Sequence, residues 1–125
     1  MAEELNSLIQ AVVVAINSRD VEKLATLFTE DCFYEDVALG GVMQGSEAIK
    51  TGYASFLKEI PAFHLEIKSL FTTDTWGFSE WVMTGTSSLG KSFSARGVTI
   101  NELQGSRIKR NSDYYDPSSI LQATQ

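Results

Sequence analysis

Three charged residues at predicted strand positions, Asp36, Arg96 and Asp113, could support acid–base chemistry if the fold brings them together. A hairpin that turns at Gln104-Gly105 places Arg96 opposite Asp113 on neighbouring strands. Arg96 would then hold the Asp113 carboxylate ionised and oriented, while a nearby Asp36 would meet like-charge repulsion and desolvation. Two carboxylates in different environments are a recurring arrangement for proton transfer at neutral pH. The alternatives are a structural salt bridge between Arg96 and Asp113, and a solvated strand end or Asx-turn at Asp36.

The composition is that of an ordinary globular protein and excludes several function classes. Of the 125 residues, 43% are hydrophobic and 21% are charged, which predicts one domain over residues 1–125 with its own core. A net charge of -6 and the single small basic run Arg107, Lys109 and Arg110 argue against nucleic-acid binding. One cysteine, Cys32, and one histidine, His64, make a transition-metal site improbable, so we expect function without a cofactor.

The sequence shows only weak signals for a membrane span or a signal peptide. The longest apolar run, Ala11–Ile16, is far shorter than the ~18 residues of a membrane span, and the acidic start Ala2-Glu3-Glu4 differs from the positive flank of a signal peptide. We therefore expect a soluble, cytoplasmic protein with no membrane partner.

Helices are predicted first along the chain. Helical spacing of apolar residues predicts an amphipathic helix over Glu3–Asn17 and a second helix from the cap Asp20 to Thr29. A short strand, Cys32–Val37, and a glycine-rich loop follow. The third helix extends from its cap Ser46 to Ile60, before a proline.

Beyond this proline the pattern changes to the alternation of a half-buried sheet. Four strands are predicted over Phe63–Thr72, Trp76–Thr86, Ser92–Leu103 and Ser106–Tyr115, and Pro117 opens a short helix or tail. Helices followed by antiparallel strands are typical of an α+β domain.

Several local motifs in this order carry a resemblance to a known group. They are Asp20-Val21-Glu22, Phe28-Thr29-Glu30-Asp31-Cys32-Phe33-Tyr34-Glu35-Asp36, Gly45-Ser46-Glu47-Ala48-Ile49 and Asn111-Ser112-Asp113-Tyr114-Tyr115-Asp116. Together they resemble SnoaL-like proteins of the nuclear transport factor 2-like superfamily, which is similar to ketosteroid isomerases, polyketide cyclases and limonene-type epoxide hydrolases. The resemblance implies a cone-shaped fold, with three N-terminal helices packed on a curved, mostly antiparallel sheet, and a conical pocket for a small apolar molecule.

The resemblance to ketosteroid isomerases is partial. Their general base lies in a Glu-Asp-Pro segment after the second helix, where this chain has Glu35-Asp36-Val37, so Asp36 corresponds to the base. The two oxyanion-hole positions align with Val12 and Val98. Valine donates no hydrogen bond, and removing such a donor costs about 10²-fold or more in rate, so steroid isomerisation is not favoured.

The resemblance to limonene-type epoxide hydrolases is also partial. Tyr34-Glu35-Asp36 resembles their water-holding pair, with Asp in place of Asn, and Arg96-Gly97-Val98 resembles their Arg-x-Asp pair with its Asp lost. Asp113-Tyr114-Tyr115-Asp116 matches their last motif. Epoxide opening would then require Asp36 to take over the proton of the attacking water. The candidate catalytic residues implied by the resemblance are Asp36, Asp113, Arg96 and Tyr34.

Several large side chains are suited to lining an apolar pocket. The candidate substrate-binding residues are Tyr53, Phe56, Phe63, Trp81, Met83, Phe93, Val98 and Tyr115. Most of these side chains are of types that are more often plain core residues, and Tyr34 could be a cross-strand packing residue. Glu80 shares a face with Trp76 and Phe78, so it is either paired or functional there, or it lies on an outer face at a dimer interface or in solvent.

Two functions from different classes follow. One is a cofactor-free enzyme that binds a small apolar carbonyl or epoxide compound and uses Asp36 and Asp113 for proton transfer, with Arg96 as the orienting group. The other is a non-catalytic ligand-binding or dimerisation module of the same fold. The large alternating residues of the exposed sheet face, together with the resemblance, predict a homodimer.

Overall fold

The computed structural model describes residues 2–125, and the side chains from Leu5 onward. Its fold is α+β, as predicted. The helices are α1 (Ala2–Asn17), α2 (Val21–Thr26), α3 (Ser46–Glu59) and α4 (Ser118–Ala123). The strands are β1 (Phe28–Asp36), β2 (Gly41–Gln44), β3 (His64–Thr72), β4 (Trp76–Thr86), β5 (Ser92–Gln104) and β6 (Arg107–Tyr115).

Helix α1 packs its apolar stripe against the sheet and is fixed at its C-terminal end. Leu5, Ile9 and Ile16 are buried, which agrees with the predicted helical spacing. The Asn17 side chain accepts a hydrogen bond from the Leu65 backbone N–H (2.9 Å) and donates one to the Leu65 carbonyl (2.8 Å). This pair of bonds holds the helix end against β3.

Helix α2 is shorter than predicted. Asp20 caps it by accepting from the Lys23 backbone N–H, as predicted, but the helix ends at Thr26 and not at Thr29. The reason is strand pairing: the Ile108 backbone N–H donates to the Leu27 carbonyl, and Phe28 already pairs with Ile108. Strand β1 therefore begins at Phe28, four residues before the predicted start.

The six strands form one mixed sheet in the order β2-β1-β6-β5-β4-β3. Strands β1 and β6 are parallel, and the other neighbours are antiparallel. Strand β2 lies in the segment that the sequence predicted as a glycine-rich loop. The parallel β1–β6 pair joins the N-terminal part of the chain to the C-terminal hairpin, so residues distant in sequence become neighbours.

The register between β5 and β6 differs from the prediction. Asp113 lies opposite Thr99, and not opposite Arg96. The hairpin turns at Gly105 and Ser106, where Gly105 adopts a positive φ of 64°, and a register shift follows between Glu102 and Leu103. A turn one residue later and an irregularity of the β-bulge type both move the pairing, so the predicted Arg96–Asp113 pair is wrong.

The core lies between the inner face of the sheet and the helices. Its largest fully buried side chains include Leu24, Phe28, Ile49 and Ile108. Cys32 is buried among them as a small apolar residue, as predicted. In the described part of the chain no helix is long and apolar enough to cross a membrane.

Candidate functional site

A cavity of about 400 Å³ opens between the inner face of the sheet and the helices. Helix α1 contributes apolar side chains such as Val12 and Ile16, and α3 contributes Tyr53 and Phe56. The volume exceeds the roughly 300 Å³ at the lower end of small-molecule sites. The cavity is therefore large enough to hold a small organic molecule.

Two carboxylates meet on one wall of this cavity. Asp36 ends β1 and lies directly opposite Asp113 on the parallel strand β6, so both side chains project from the same face. The Asp36 carboxylate accepts a hydrogen bond from the Tyr115 hydroxyl (2.5 Å) at Oδ2 and from the Leu39 backbone N–H (2.9 Å) at Oδ1. Both of its oxygens are thus oriented by neutral donors.

Asp113 is likewise held by neutral donors. Its Oδ1 accepts from the Thr99 hydroxyl (2.6 Å) and from the Asn111 side-chain amide (2.9 Å). Burial raises the pKa of the Asp113 carboxyl above its ordinary value, and hydrogen bonds from Thr99, Asn111 and Tyr34 act in the opposite direction. The charge of Asp36 adds a smaller upward contribution to this pKa.

A second layer of hydrogen bonds fixes the donors to Asp113. The Trp81 indole N–H donates to the Thr99 hydroxyl (2.7 Å). Because a hydroxyl has one proton, Thr99 accepts from Trp81 and gives its own proton to Asp113. The Asn101 amide likewise donates to the Asn111 side-chain carbonyl (2.8 Å), so the amide of Asn111 is turned with its N–H groups toward Asp113.

The position of Trp81 depends on a glycine in the neighbouring strand. Gly97 lies opposite Trp81, and a Cβ added at Gly97 would overlap the indole and lie 2.8 Å from the Tyr114 carbonyl oxygen. The absence of a side chain at Gly97 thus lets the indole lie across β5 and reach Thr99.

Three tyrosines supply hydroxyl groups to the cavity. The hydroxyls of Tyr34 and Tyr53 are hydrogen-bonded to each other, and Tyr115 donates to Asp36. Burial is the main cause that raises the pKa of each of these phenols above its ordinary value. All three therefore stay protonated at neutral pH and can donate hydrogen bonds.

The structure brings together most of the residues that the sequence singled out. Asp36, Asp113 and Tyr34 line the cavity. So do six of the eight candidate substrate-binding residues, namely Tyr53, Phe56, Phe63, Trp81, Met83 and Tyr115. Phe93 is buried beside Gly85 and Ile60, outside the cavity wall.

Arg96 and Val98 lie on the opposite face of the sheet from the cavity. Val98 is 42% exposed and Arg96 is exposed. The odd-numbered residues of β5, including Thr99 and Asn101, point to the inner face. Arg96 and Val98 are even-numbered and point outward, so their predicted placement at the site is wrong. The hydrogen bonds that hold Asp113 come from Thr99 and Asn111, and not from Arg96.

The structure also shows where three further residues lie, whose positions the sequence did not decide. Glu80 is exposed on the outer face, where it accepts a hydrogen bond from the Ser69 hydroxyl (2.8 Å). Tyr114 lies on the same outer face, and Asp116 accepts from the backbone N–H and hydroxyl of Ser118 at the start of α4. None of the three belongs to the cavity wall.

Sequence reasoning missed the polar residues that support Asp113, which are Thr99, Asn101 and Asn111. The signal that could have found them is the β4–β5 hairpin, because Trp81 and Met83 of β4 were already candidate pocket residues. Pairing Thr86 with Ser92 across that turn places Thr99 opposite Ser79, on the same face as Trp81.

The charged residues that the structure shows on the cavity wall are all acidic. Among the described residues that line it, Asp36 and Asp113 are acidic, and none is Lys, Arg or His. The described residues also contain no group of His, Cys, Asp and Glu side chains able to hold a metal ion. The functional groups that these residues present to the cavity include carboxylates, hydroxyls, amides and aromatic rings.

Comparisons with known proteins agree on the family and the fold. The family model described as SnoaL-like polyketide cyclase matches residues 6–124. A crystal structure of a hypothetical protein with a ketosteroid isomerase-like fold from Catenulispora acidiphila, in complex with trimethylamine, is 27% identical, with a TM-score of 0.87 and coverage of 94% of this chain and 91% of that chain.

Two further solved structures show the same fold at lower identity. An LEH-like epoxide hydrolase from M. tuberculosis is 16% identical, with a TM-score of 0.85 and coverage of 98% of this chain and 90% of that one. TerC co-crystallised with polyporic acid is 17% identical, with a TM-score of 0.86 and coverage of 96% and 97%. A search of curated proteins finds no match.

Proposed function

Because this chain belongs to the SnoaL-like polyketide cyclase family, we propose that it is a cofactor-free acid–base enzyme acting on a small, largely apolar molecule in the cavity. The observation that carries the proposal is the meeting of Asp36 and Asp113 at one cavity wall, in two different environments. Pairs of carboxylates whose environments differ are a recurring basis for assigning acid and base roles at neutral pH.

In the proposed mechanism Asp36 is the base. Its carboxylate lies at the end of β1, oriented by Tyr115 and by the Leu39 backbone N–H. It removes a proton from a carbon next to a carbonyl group, or from a water molecule that attacks an epoxide. General-base catalysis by a positioned carboxylate contributes typically about 10²–10⁴-fold to the rate.

Asp113 is the proposed acid. Burial favours its protonated form, so it can deliver a proton to the oxygen that gains negative charge, the enolate oxygen or the opened epoxide oxygen. The hydrogen bond between the hydroxyls of Tyr34 and Tyr53 uses one of their two protons, so the other proton can supply a further hydrogen bond to that oxygen. Val12 lines the cavity without a donor, so these groups take the place of the missing oxyanion-hole donor on α1.

The test is a pair of reactions that need only a base, an acid and a cavity. Deuterium incorporation into 2-tetralone in D₂O reports proton abstraction beside a carbonyl, and diol formation from styrene oxide reports water addition. We expect wild type to accelerate at least one of them, and Asp36→Asn to lower that rate by about 10²-fold or more. Glu80→Gln, which alters an acid on the outer face, is the matched control and keeps the wild-type rate.

The binding-module alternative makes the opposite prediction. In that case both probes bind without any turnover, and Asp36→Asn changes neither affinity nor rate. This outcome would remove the enzymatic proposal and leave a ligand-binding member of the family.

We also propose that the outer face of the sheet forms a homodimer. Phe71, Phe78, Val98 and Tyr114 are exposed there, and the Phe78 ring stacks on Trp76 at a centroid distance of 6.5 Å. Apolar side chains that share one exposed sheet face are typical of an isologous interface. Light scattering at micromolar concentration should give twice the 13.8 kDa chain mass, and Phe78→Glu should return the mass to that of one chain.

A further inference from the structure

The two carboxylates of the cavity have no positive partner among the residues that the structure describes. Among the side chains that the structure describes, every hydrogen bond to the Asp36 and Asp113 carboxylates comes from a neutral donor, and no ion pair involves either residue. A salt bridge would cancel the charge of a carboxylate inside the protein. Neutral donors stabilise the charge but leave it available to whatever occupies the cavity.

Aromatic rings surround the space in front of these acids. Tyr34 and Tyr53 pack edge to face at a centroid distance of 5.8 Å, and the next pair, Tyr53 and Phe56, does so at 6.2 Å. Trp81 and Tyr115 lie 5.8 Å apart beside the carboxylates. The electron-rich faces of such rings attract a cation, most strongly where water is excluded.

An anionic ligand is poorly matched to this cavity. A bound carboxylate or phosphate would meet like charge on the Asp36 side and would find no guanidinium, ammonium or imidazole among the described residues of the wall. The net charge of the whole chain, -6, adds a long-range attraction for cations.

We infer that the preferred ligand of the cavity is a small organic cation, an apolar molecule that carries a protonated or quaternary amine against Asp36 and Asp113. This inference deepens the proposed function and rests on it for the location of the site. The amine is held by carboxylate and aromatic contacts, and the apolar remainder of the ligand fills the part of the cavity formed by α1, Phe56 and Phe63.

The experiment compares ligands of the same shape and different charge by isothermal titration calorimetry. The probes are 3-hydroxyphenyltrimethylammonium, its uncharged carbon isostere 3-tert-butylphenol, and the anion 3-hydroxybenzoate. We expect the cation to bind the wild-type protein at least about tenfold more tightly than its isostere, and the anion to bind least.

Charge-removing variants show whether the preference arises in the cavity. Asp36→Asn should lower the ratio of the two affinities toward one. Asp113→Asn should lower it by less, because burial favours the neutral form of Asp113. Glu80→Gln should leave the ratio at the wild-type value. Binding of 3-tert-butylphenol to each variant shows that the cavity is intact, so a folding defect in one variant is recognised and the other variant still decides.

Equal or tighter binding of 3-tert-butylphenol to the wild type would overturn the inference. A wild-type preference for the cation that persists in both Asn variants would overturn it as well. These outcomes concern affinity alone, so Asp36-dependent turnover of neutral ketones or epoxides would survive them, and the proposed function would stand without the amine.

Discussion

The polar residues on the two faces of strand β5 differ in burial and in how much their interactions contribute to stability. On the inner face Thr99 and Asn101 belong to a buried network that ends at Asp113, with donor–acceptor distances of 2.6–2.9 Å along its main links. On the outer face Arg96 is exposed, and Glu102 pairs with Lys109 at 3.2 Å with both side chains partly exposed. Exposed ion pairs contribute about 0–1 kcal/mol, whereas an unsatisfied buried group costs about 1–3 kcal/mol.

This difference shows where the chemistry of the molecule can be placed. Adjacent residues of β5 differ in burial because they point to opposite faces of the sheet. A polar side chain on the outer face therefore has little effect on stability, whereas one on the inner face influences the pKa of the Asp113 carboxyl. The inner face holds its acids with neutral dipoles, and the outer face exposes apolar rings suited to a second chain. The predictions below test this division, beginning with the largest effect.

The largest effect on the free energy of unfolding should come from removing a side chain that packs in the core, compared with one on the outer face. Phe28 is 1% exposed in the core, and Phe71 is 70% exposed on the outer face. Phe28→Ala should lower the free energy of unfolding by about 3–5 kcal/mol, because it leaves a cavity among close-packed neighbours. Phe71→Ala should change it by less than about 0.5 kcal/mol in the monomer.

Urea unfolding at a concentration where the chain is monomeric measures both changes. A loss for Phe71→Ala comparable to that for Phe28→Ala would show that the outer face is part of the folded core.

The next effect concerns the glycine beneath Trp81. Gly97→Ala should lower the free energy of unfolding by about 1–3 kcal/mol, because the added methyl group displaces the indole or the Tyr114 backbone. Gly41→Ala is the control, since a Cβ there meets no atom within 4 Å and its φ is not positive. Trp fluorescence should shift in Gly97→Ala and not in Gly41→Ala. Equal stability of the two variants would contradict the tight approach of Trp81 to β5.

A smaller effect should appear in the pH dependence of stability. The folded-state pKa of Asp113 is raised above its ordinary value of 3.8, so the folded protein keeps a proton that the unfolded chain has lost between the two values. The contribution of Asp113 to stability is therefore greatest below the ordinary pKa and falls as pH rises through the window up to the folded-state pKa.

Asp113→Asn should remove this fall, so its stability curve should be flatter than that of the wild type within the window. Urea unfolding at several pH values compares the two. A wild-type stability that rises across the same window relative to Asp113→Asn would reverse the sign of the argument.

The smallest effect is expected at Arg96. Because its side chain is exposed on the outer face, Arg96→Ala should change the free energy of unfolding by no more than about 0.5 kcal/mol and leave ligand affinity unchanged. Calorimetric titration of the cavity and urea unfolding measure the two quantities. A large loss of affinity in Arg96→Ala would favour the pairing with Asp113 that the structure does not show.

The sequence predicted the fold more completely than the site. Strand β4 was predicted with its observed bounds, because alternation over Trp76–Thr86 is long and regular and turns bracket it. The resemblance to SnoaL-like proteins is confirmed by the family match. Strand β2 and the early start of β1 were missed, because both depend on pairing with strands elsewhere in the chain and leave no local period.

The acids of the site were predicted, and their partners were not. Asp36 and Asp113 were identified by motif, and the structure places both at the cavity. The partner of Asp113 was wrong because the hairpin turns one residue later than predicted and a register shift follows, and together these move the pairing from Arg96 to Thr99. The alternation of residue types along a strand does not indicate such a shift. The pairing across the β4–β5 turn would have assigned the inner face of β5 correctly.

The central claim is that the inner face holds a buried carboxyl, Asp113, whose proton affinity is raised by burial and limited by neutral donors. The most direct test is ¹³C NMR titration of the aspartate carboxyl groups in the wild type and in Thr99→Val, which removes one donor at nearly constant shape. We expect the pKa of Asp113 to lie above the ordinary value of 3.8 in the wild type and to rise further in Thr99→Val. A wild-type pKa at or below 3.8, unchanged by Thr99→Val, would contradict the account.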